Sequence, residues 1–250
     1  MNWARLDGQV AVVTGGNDGI GLGFARGLAQ AGASVAVLGR RPERNAAAAE
    51  QLPGDARPFT CDVADEVSVT AAFDAVVEAY GRIDSCFVNA GISGTAGPAL
   101  AGTAGEWNNV LGVNLTGAFF TARAAADRIR QRGEGGSIVF TSSLAAFDAS
   151  PLNAPYAASK AGVLALTRSL AAASARDRIR VNAIVPGWVE TAMTEDAMGS
   201  DGADKILRRI PLHRWGSAED FEGLAVLLAG SGSSYLTGQA VVVDGGYSVF

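Results

Sequence analysis

The sequence predicts one doubly wound α/β domain, a seven-stranded parallel sheet with helices on both faces. Three observations carry that prediction. Short β-rich runs alternate with longer helix-like segments from end to end, the pattern of right-handed βαβ crossovers. Several of those runs, Val10-Ala11-Val12-Val13, residues 34–38 and Ile138-Val139-Phe140, are almost wholly apolar, which suits strands covered on both faces. No linker, low-complexity block or repeat divides the 250 residues, a length that buries a sizeable core.

Residues 9–14 read as the first strand, bounded by Gly8 and Gly15, and residues 21–30 as a helix ending near Gly32. A strand over 34–39 and a helix over 43–51 follow, then strand 57–60, helix 65–80 and strand 83–89. One helix is predicted over 106–130, with strand 137–142, helix 154–175 and strand 180–185 after it. Ser217 with Asp220 three residues on is a capping signal that opens a helix over 218–229, and strand 239–243 is the last element.

Composition narrows the function classes. Twenty Lys and Arg against 25 Asp and Glu give a net charge of −5, the wrong sign for broad nucleic-acid or anionic-membrane binding. Hydrophobic residues make up 48% and charged ones 18%, so the chain folds rather than staying disordered. Two cysteines, Cys61 and Cys86, form no disulfide framework and no zinc spacing, which points to a reducing, cytoplasmic location. The apolar run at 10–13 is too short for a signal peptide. Uncharged stretches at 85–105 and 223–243 are interrupted by Gly, Ser, Asn, Gln or Pro, so no membrane span is expected.

The first strand runs into Thr14-Gly15-Gly16-Asn17-Asp18-Gly19-Ile20-Gly21 just where a helix begins. Glycines there let the backbone turn tightly and approach a pyrophosphate seated on the helix N-terminus. The spacing differs from G-x-G-x-x-G, and a plain tight turn is the alternative. Dinucleotide folds that read an unphosphorylated ribose place an acid about twenty residues on; here the second strand ends Leu38-Gly39-Arg40-Arg41. A guanidinium at Arg40 matches a ribose 2′-phosphate, favouring NADP(H) over NAD(H). Asp18 opposes that choice if it faces the phosphate, and is a helix cap if it does not.

Tyr156-Ala157-Ala158-Ser159-Lys160 puts a phenol and an ammonium on one helix face. An unperturbed phenol titrates near ~10, too high for easy proton exchange at neutral pH, and a neighbouring cation lowers that value. Ser143, just past a predicted strand, can hold a substrate oxygen. On its own such a pair is ordinary surface decoration; its company makes it chemical.

With these motifs the chain resembles the short-chain dehydrogenase/reductase family over essentially its whole length, in particular 3-oxoacyl-(acyl-carrier-protein) reductase-like and gluconate 5-dehydrogenase-like members. Thr14-Gly15, with Gly19-Ile20-Gly21, is similar to that family's cofactor turn, and Asp62-Val63 to the pair that meets the adenine. Asn89-Ala90-Gly91 is similar to its N-A-G segment, with Val88 in place of the asparagine often seen before it. Asn114, Ser143, Tyr156 and Lys160 match its catalytic tetrad. Pro186-Gly187 with Val189 and Thr191 matches the segment that holds the nicotinamide carboxamide, while Tyr235-Leu236-Thr237-Gly238-Gln239 and Val243-Asp244-Gly245-Gly246 match the C-terminal signature. Asp18 stands where NADP-preferring members frequently carry a base.

The resemblance implies a Rossmann-like fold and hydride transfer between NADP(H), or NAD(H), and a carbonyl or alcohol carbon. Tyr156 would be the acid and base, Ser143 would orient the oxygen, and Lys160 would bind the nicotinamide ribose and lower the Tyr156 pKa. Asn114 would anchor a water leading from Lys160 to solvent. It also implies a homo-oligomer, a tetramer by preference, with the apolar ending Tyr247-Ser248-Val249-Phe250 buried.

The rival readings have less to stand on. A Ser-His-Asp hydrolase would need His213, the one histidine, and no nucleophile elbow accompanies it. A non-catalytic dinucleotide sensor has no use for an activated phenol, and a methyl transferase with a related sheet lacks its acid at the end of the second strand. Substrate choice belongs to the loops 93–103, 144–153 and 188–212, where Leu144, Phe147, Leu152, Trp188 and Met193 are candidates for an apolar pocket accepting a small carbonyl or alcohol. Arg128, Arg130, Arg132, Arg176 and Arg178 are candidates for docking an acyl carrier protein, or are solvated helix ends.

Overall fold

A computed structural model describes residues 4–250. Its strands are β1 (Val10–Thr14), β2 (Ser34–Gly39), β3 (Ala56–Thr60), β4 (Ser85–Val88), β5 (Gly136–Thr141), β6 (Ile179–Pro186) and β7 (Ala240–Val243). They form one sheet in the order β3-β2-β1-β4-β5-β6-β7, parallel at every pairing. The helices are α1 (Gly19–Gln30), α2 (Pro42–Glu50), α3 (Glu66–Tyr80), α4 (Ala104–Leu111), α5 (Gly117–Arg132), α6 (Ala154–Ser174), α7 (Glu195–Met198), α8 (Ala203–Arg208) and α9 (Glu222–Ala229).

The two-residue period of the strands divides the apolar runs between two cores. Val10, Val12, Cys86, Val88, Ile138 and Phe140 join Phe73, Val76, Ile129 and Val163 on one face. Ala11, Val13, Phe87 and Val139 join Phe24, Leu28, Phe221 and Leu228 on the other. Phe24 packs at 5.1 Å from the Phe87 ring and edge-on at 6.2 Å from Phe221, and is fully buried. Each such side chain contributes about 1.5–3 kcal/mol through area removed from water. Pro58 lies in β3, an edge strand, where a missing N–H is tolerated.

Several expectations need correcting. The helix expected over 106–130 is two helices, α4 and α5, joined by a π-helical turn at Gly112–Thr116. Just past that turn α5 packs closely on the chain after β3: a Cβ on Gly117 would lie 2.7 Å from the Val63 carbonyl oxygen. The capping box at Ser217 and Asp220 is present, but it opens a 3-10 turn, Ala218–Phe221, ahead of α9. The loop 188–212 carries two short helices, α7 and α8, that its sequence did not signal. At the chain end Tyr247 is buried, while Val249 and Phe250 are exposed on the single chain.

Candidate functional site

Strand order reverses between β1 and β4, and that opens a crevice at the carboxyl ends of the sheet. The glycine turn after β1 enters it. Asp18 caps α1, its carboxylate accepting the Gly19 N–H at 2.8 Å, and also pairs with Arg44 at 3.5 Å. Its charge is therefore matched within the protein. Gly15 sits at φ 64°, and a Cβ on Gly21 would fall 2.1 Å from the Gly15 carbonyl oxygen, so the turn closes only with glycine at both positions. Asn89 fastens it: Nδ2 donates to the Thr14 and Gly15 carbonyls at 3.2 and 3.3 Å, and Oδ1 accepts from Thr141 at 3.0 Å. The Thr14 hydroxyl accepts the Asn89 and Ala90 N–H groups at 3.0 and 3.2 Å.

Beside the turn lies a cavity of about 150 Å³ lined by Gly15, Asn17, Gly39, Arg40, Asp62 and Val63, with Ala90 and Gly91 on its far wall. Arg40 and Arg41 are exposed at its rim, and Arg41 also reaches the main cleft. Asp62 accepts the Ala64 N–H at 3.0 Å, which shapes the loop that follows β3. Arg41, Arg44 and Asn45 escaped the reading of the sequence. Asn45 carried a signal: one amide before the alanine run 46–49, a turn after a strand end.

The main cleft, about 310 Å³, brings Ser143, Tyr156 and Lys160 together with Gly19, Ile20, Pro186, Gly187, Val189 and Thr191. Ser143 follows β5 in extended conformation and accepts the Ala145 N–H at 3.2 Å. Asn153 caps α6 by accepting the Tyr156 N–H at 3.4 Å and ties in the loop after β4 by donating to the Ser93 carbonyl at 2.8 Å. Tyr156 and Lys160 then share a face one turn apart. Lys160 is 4% exposed; its ammonium donates to the Thr141 carbonyl at 2.9 Å and stands 5.5 Å from the centre of the Tyr156 ring. Burial pulls Lys160 down to about 8. Burial pushes the Tyr156 phenol above its ordinary value, with the Ser143 hydroxyl pulling the other way. The sequence predicted the opposite direction for Tyr156. The difference arises because the Thr141 carbonyl takes the ammonium and the ring lies in a desolvated wall.

Asn114 lies in the π-helical turn, 2% exposed. Its Nδ2 donates to the Ile92 carbonyl at 2.8 Å and the Ser159 hydroxyl at 3.1 Å, and its Oδ1 accepts the Ile92 N–H at 2.8 Å. Ser159 in turn donates to the Tyr156 carbonyl at 2.7 Å. These bonds clamp the loop after β4 onto α6.

Of the five substrate-pocket candidates, Met193 lines the cleft. Leu144 is buried in the core. Trp188 stacks edge-on against Trp215 at 5.7 Å and lines a separate cavity of about 140 Å³ with Arg214 and Asp220. Phe147 and Leu152 are exposed. The arginines considered for docking sit at the other end of the sheet, because α5 ends and β6 begins at the strands' amino ends. Arg128 pairs with Asp74, Arg130 with Asp127 and Arg132 with Asp84. His213 is exposed and does not line the cleft. Among the described residues no cluster of three His, Cys, Asp or Glu could hold a metal, and no helix is long and apolar enough to cross a membrane.

Residues 15–248 match a protein family described as Enoyl-(Acyl carrier protein) reductase. The chain is 39% identical over 247 residues to 3-oxoacyl-(acyl-carrier-protein) reductase of Thermotoga maritima, covering 97% of this chain and 98% of that one. It is 38% identical over 248 residues to D-threitol dehydrogenase of Mycolicibacterium smegmatis, covering 98% and 95%. A crystal structure of a gluconate 5-dehydrogenase from Burkholderia cenocepacia, in complex with NADP and tartrate, superposes with a TM-score of 0.93 at 37% identity over 100% of this chain and 98% of that one.

Proposed function

This chain belongs to the short-chain dehydrogenase/reductase family, and within that oxidoreductase class we propose that it interconverts a carbonyl and a secondary alcohol using NADP(H), with Tyr156 as general acid and base. The observation that carries the proposal is one crevice holding Ser143, Tyr156 and Lys160 beside the glycine turn, with Arg40 and Arg41 at its far rim. These residues fit a phosphorylated dinucleotide. The Gly15–Gly21 turn packs too closely on Ala90, Thr191 and itself to carry side chains at its glycines, so its backbone is bare, the α1 N-terminus presents N–H groups to a pyrophosphate, and two guanidiniums suit a ribose 2′-phosphate. Asp18 does not oppose it, being both a cap and an ion-pair partner of Arg44. The relative complexed with NADP supports the same choice.

A nicotinamide bound in this crevice would supply or accept the hydride. Tyr156 delivers its proton to the substrate oxygen in the reductive direction and recovers it in the oxidative one. Ser143, whose hydroxyl works against the upward shift of the phenol, holds that oxygen in place. Lys160, poised near pH 8 by burial, supplies positive charge to the phenol's side of the cleft and binds the ribose. Asn114 acts through position, locking the start of α6 so that phenol and ammonium keep their separation. The substrate is a small carbonyl or alcohol. The protein works as a homo-oligomer, a tetramer by preference, which would cover the exposed Trp107 of α4, Phe119 of α5 and Phe250.

The test is a fluorescence titration of NADPH and NADH against wild type and Arg40→Ala. Tighter NADPH binding, falling about tenfold in the variant, is expected for a guanidinium that reads a phosphate. NADH binding equal to or tighter than NADPH, indifferent to Arg40, would refute the cofactor choice. NADPH binding with no turnover on any carbonyl in a broad screen would favour a sensor.

A further inference from the structure

We propose that Asn45 is a specificity-determining residue: with Asn17 it fills the space a side chain at position 39 would need, and so keeps from the end of β2 the carboxylate that reads an unphosphorylated ribose. The inference rests on the NADP(H) reading above and deepens it.

Asn45 is fully buried on α2, and its whole amide is used. Nδ2 donates to the Gly39 carbonyl at 2.7 Å and the Phe59 carbonyl at 2.9 Å, the ends of two neighbouring strands. Oδ1 accepts from Asn17 Nδ2 at 2.5 Å. Two carbonyl partners fix which end of the amide is the NH₂, so the group cannot rotate away without stranding buried polar atoms. A Cβ built on Gly39 would lie 2.6 Å from Asn45 Oδ1 and 2.7 Å from Asn17 Nδ2. Gly39 is absent from the positive-φ residues, so its backbone would accept any residue type, and space alone holds the position to glycine.

The consequence reaches the cofactor end of the crevice. Gly39 and Asn17 both line the 150 Å³ cavity, and Asn45 stands behind them as its rigid wall. Arg44, next along α2, pairs with Asp18. One turn of α2 therefore grips two consecutive residues of the glycine turn. Arg40 and Arg41, between the fixed Gly39 and the Pro42 that starts α2, are held at the rim where a phosphate would sit. An acid at position 39 is the direct way to read the ribose 2′-OH of NAD, and Asn45 blocks it.

The test is a set of equilibrium titrations with NADPH, NADH, 2′,5′-ADP and 5′-AMP. The proteins are wild type, Gly39→Asp, Asn45→Ala and the double variant, each also followed by thermal unfolding without cofactor. Gly39→Asp alone is expected to leave NADH binding within about twofold of wild type and to lower the melting temperature. Added to Asn45→Ala, the same carboxylate is expected to tighten NADH by about tenfold over Asn45→Ala alone, an amount typical of a charged hydrogen bond. A Gly39→Asp substitution that folds only when Asn45 is removed supports the proposal equally. An equal gain in both backgrounds, or none in a folded double variant, overturns it. Should neither protein carrying Gly39→Asp fold, Asn45→Ala decides: weaker 2′,5′-ADP binding with 5′-AMP little changed supports it, and unchanged binding of both overturns it. Wild type preferring NADH would remove the NADP(H) reading and this inference together, whereas missing coupling removes the inference alone.

Discussion

Lys160 should make the stability of the protein depend on alkaline pH in a way that can be isolated. The residue is 4% exposed, its ammonium donates to the neutral Thr141 carbonyl at 2.9 Å, and burial lowers its pKa from the ordinary 10.5 to about 8. Each pH unit between the folded and unfolded values is worth about 1.4 kcal/mol, so holding the charged form in the fold costs about 3 kcal/mol. The sign follows from proton counting. Below pH 8 both states are protonated and the whole cost is present. Between about 8 and 10.5 the unfolded chain keeps a proton that the folded one has released, so stability rises with pH and the cost disappears. Lys160→Met removes the titration and nearly keeps the volume. Urea unfolding of both proteins without cofactor, at one protein concentration from pH 7 to 10.5, should show wild type gaining about 3 kcal/mol relative to the variant. Other alkaline effects cancel in the difference, and the Thr141 bond enters as an offset. A difference that stays flat, or that moves against wild type as pH rises, would refute the burial account of Lys160.

Tyr156→Phe should lower kcat by about 10²–10⁴-fold while NADPH binding changes little, read from steady-state rates and a fluorescence titration on the same preparation. Asp84 is a structural counterpart to the site. Burial raises its pKa, but hydrogen bonds from Arg82, the Val10 N–H and Arg132 outweigh that and leave it lowered. The stability it contributes is therefore present above the ordinary aspartate value and is lost as pH falls through the folded one. Asp84→Asn should cost about 3 kcal/mol at pH 7 by urea denaturation, with the gap to wild type closing below about pH 4. Gly21→Ala should lose NADPH affinity and melt at lower temperature, because its new methyl group would lie 2.1 Å from the Gly15 carbonyl oxygen; unchanged binding would refute the close-packed turn.

The strands were legible because burial on both faces demands unbroken apolar runs such as Val10–Val13, and the two cores simply sort that run by alternate residues. The π-helical turn at Gly112–Thr116 was not, since one wide turn inside a continuous helical run leaves no mark on the sequence pattern. The apolar candidates in the loops separated only in three dimensions. Leu144, Trp188 and Met193 look alike in sequence, but one enters the core, one a separate cavity and one the cleft. Nothing local tells an apolar loop residue which way to turn.

The amino-acid sequence alone determined the doubly wound sheet, the glycine turn at the end of the first strand and the one-turn spacing of Tyr156 and Lys160. Each follows from local periodicity or from backbone freedom that a few residues settle among themselves. What Asp18 pairs with, which way Tyr156 shifts, and what Asn45 grips came from the tertiary structure. Arg44, Thr141 and Asn17 answer those questions, and folding is what brings them within reach. A charge or an amide takes its energy from its neighbours and its exposure, and both are properties of the assembled fold.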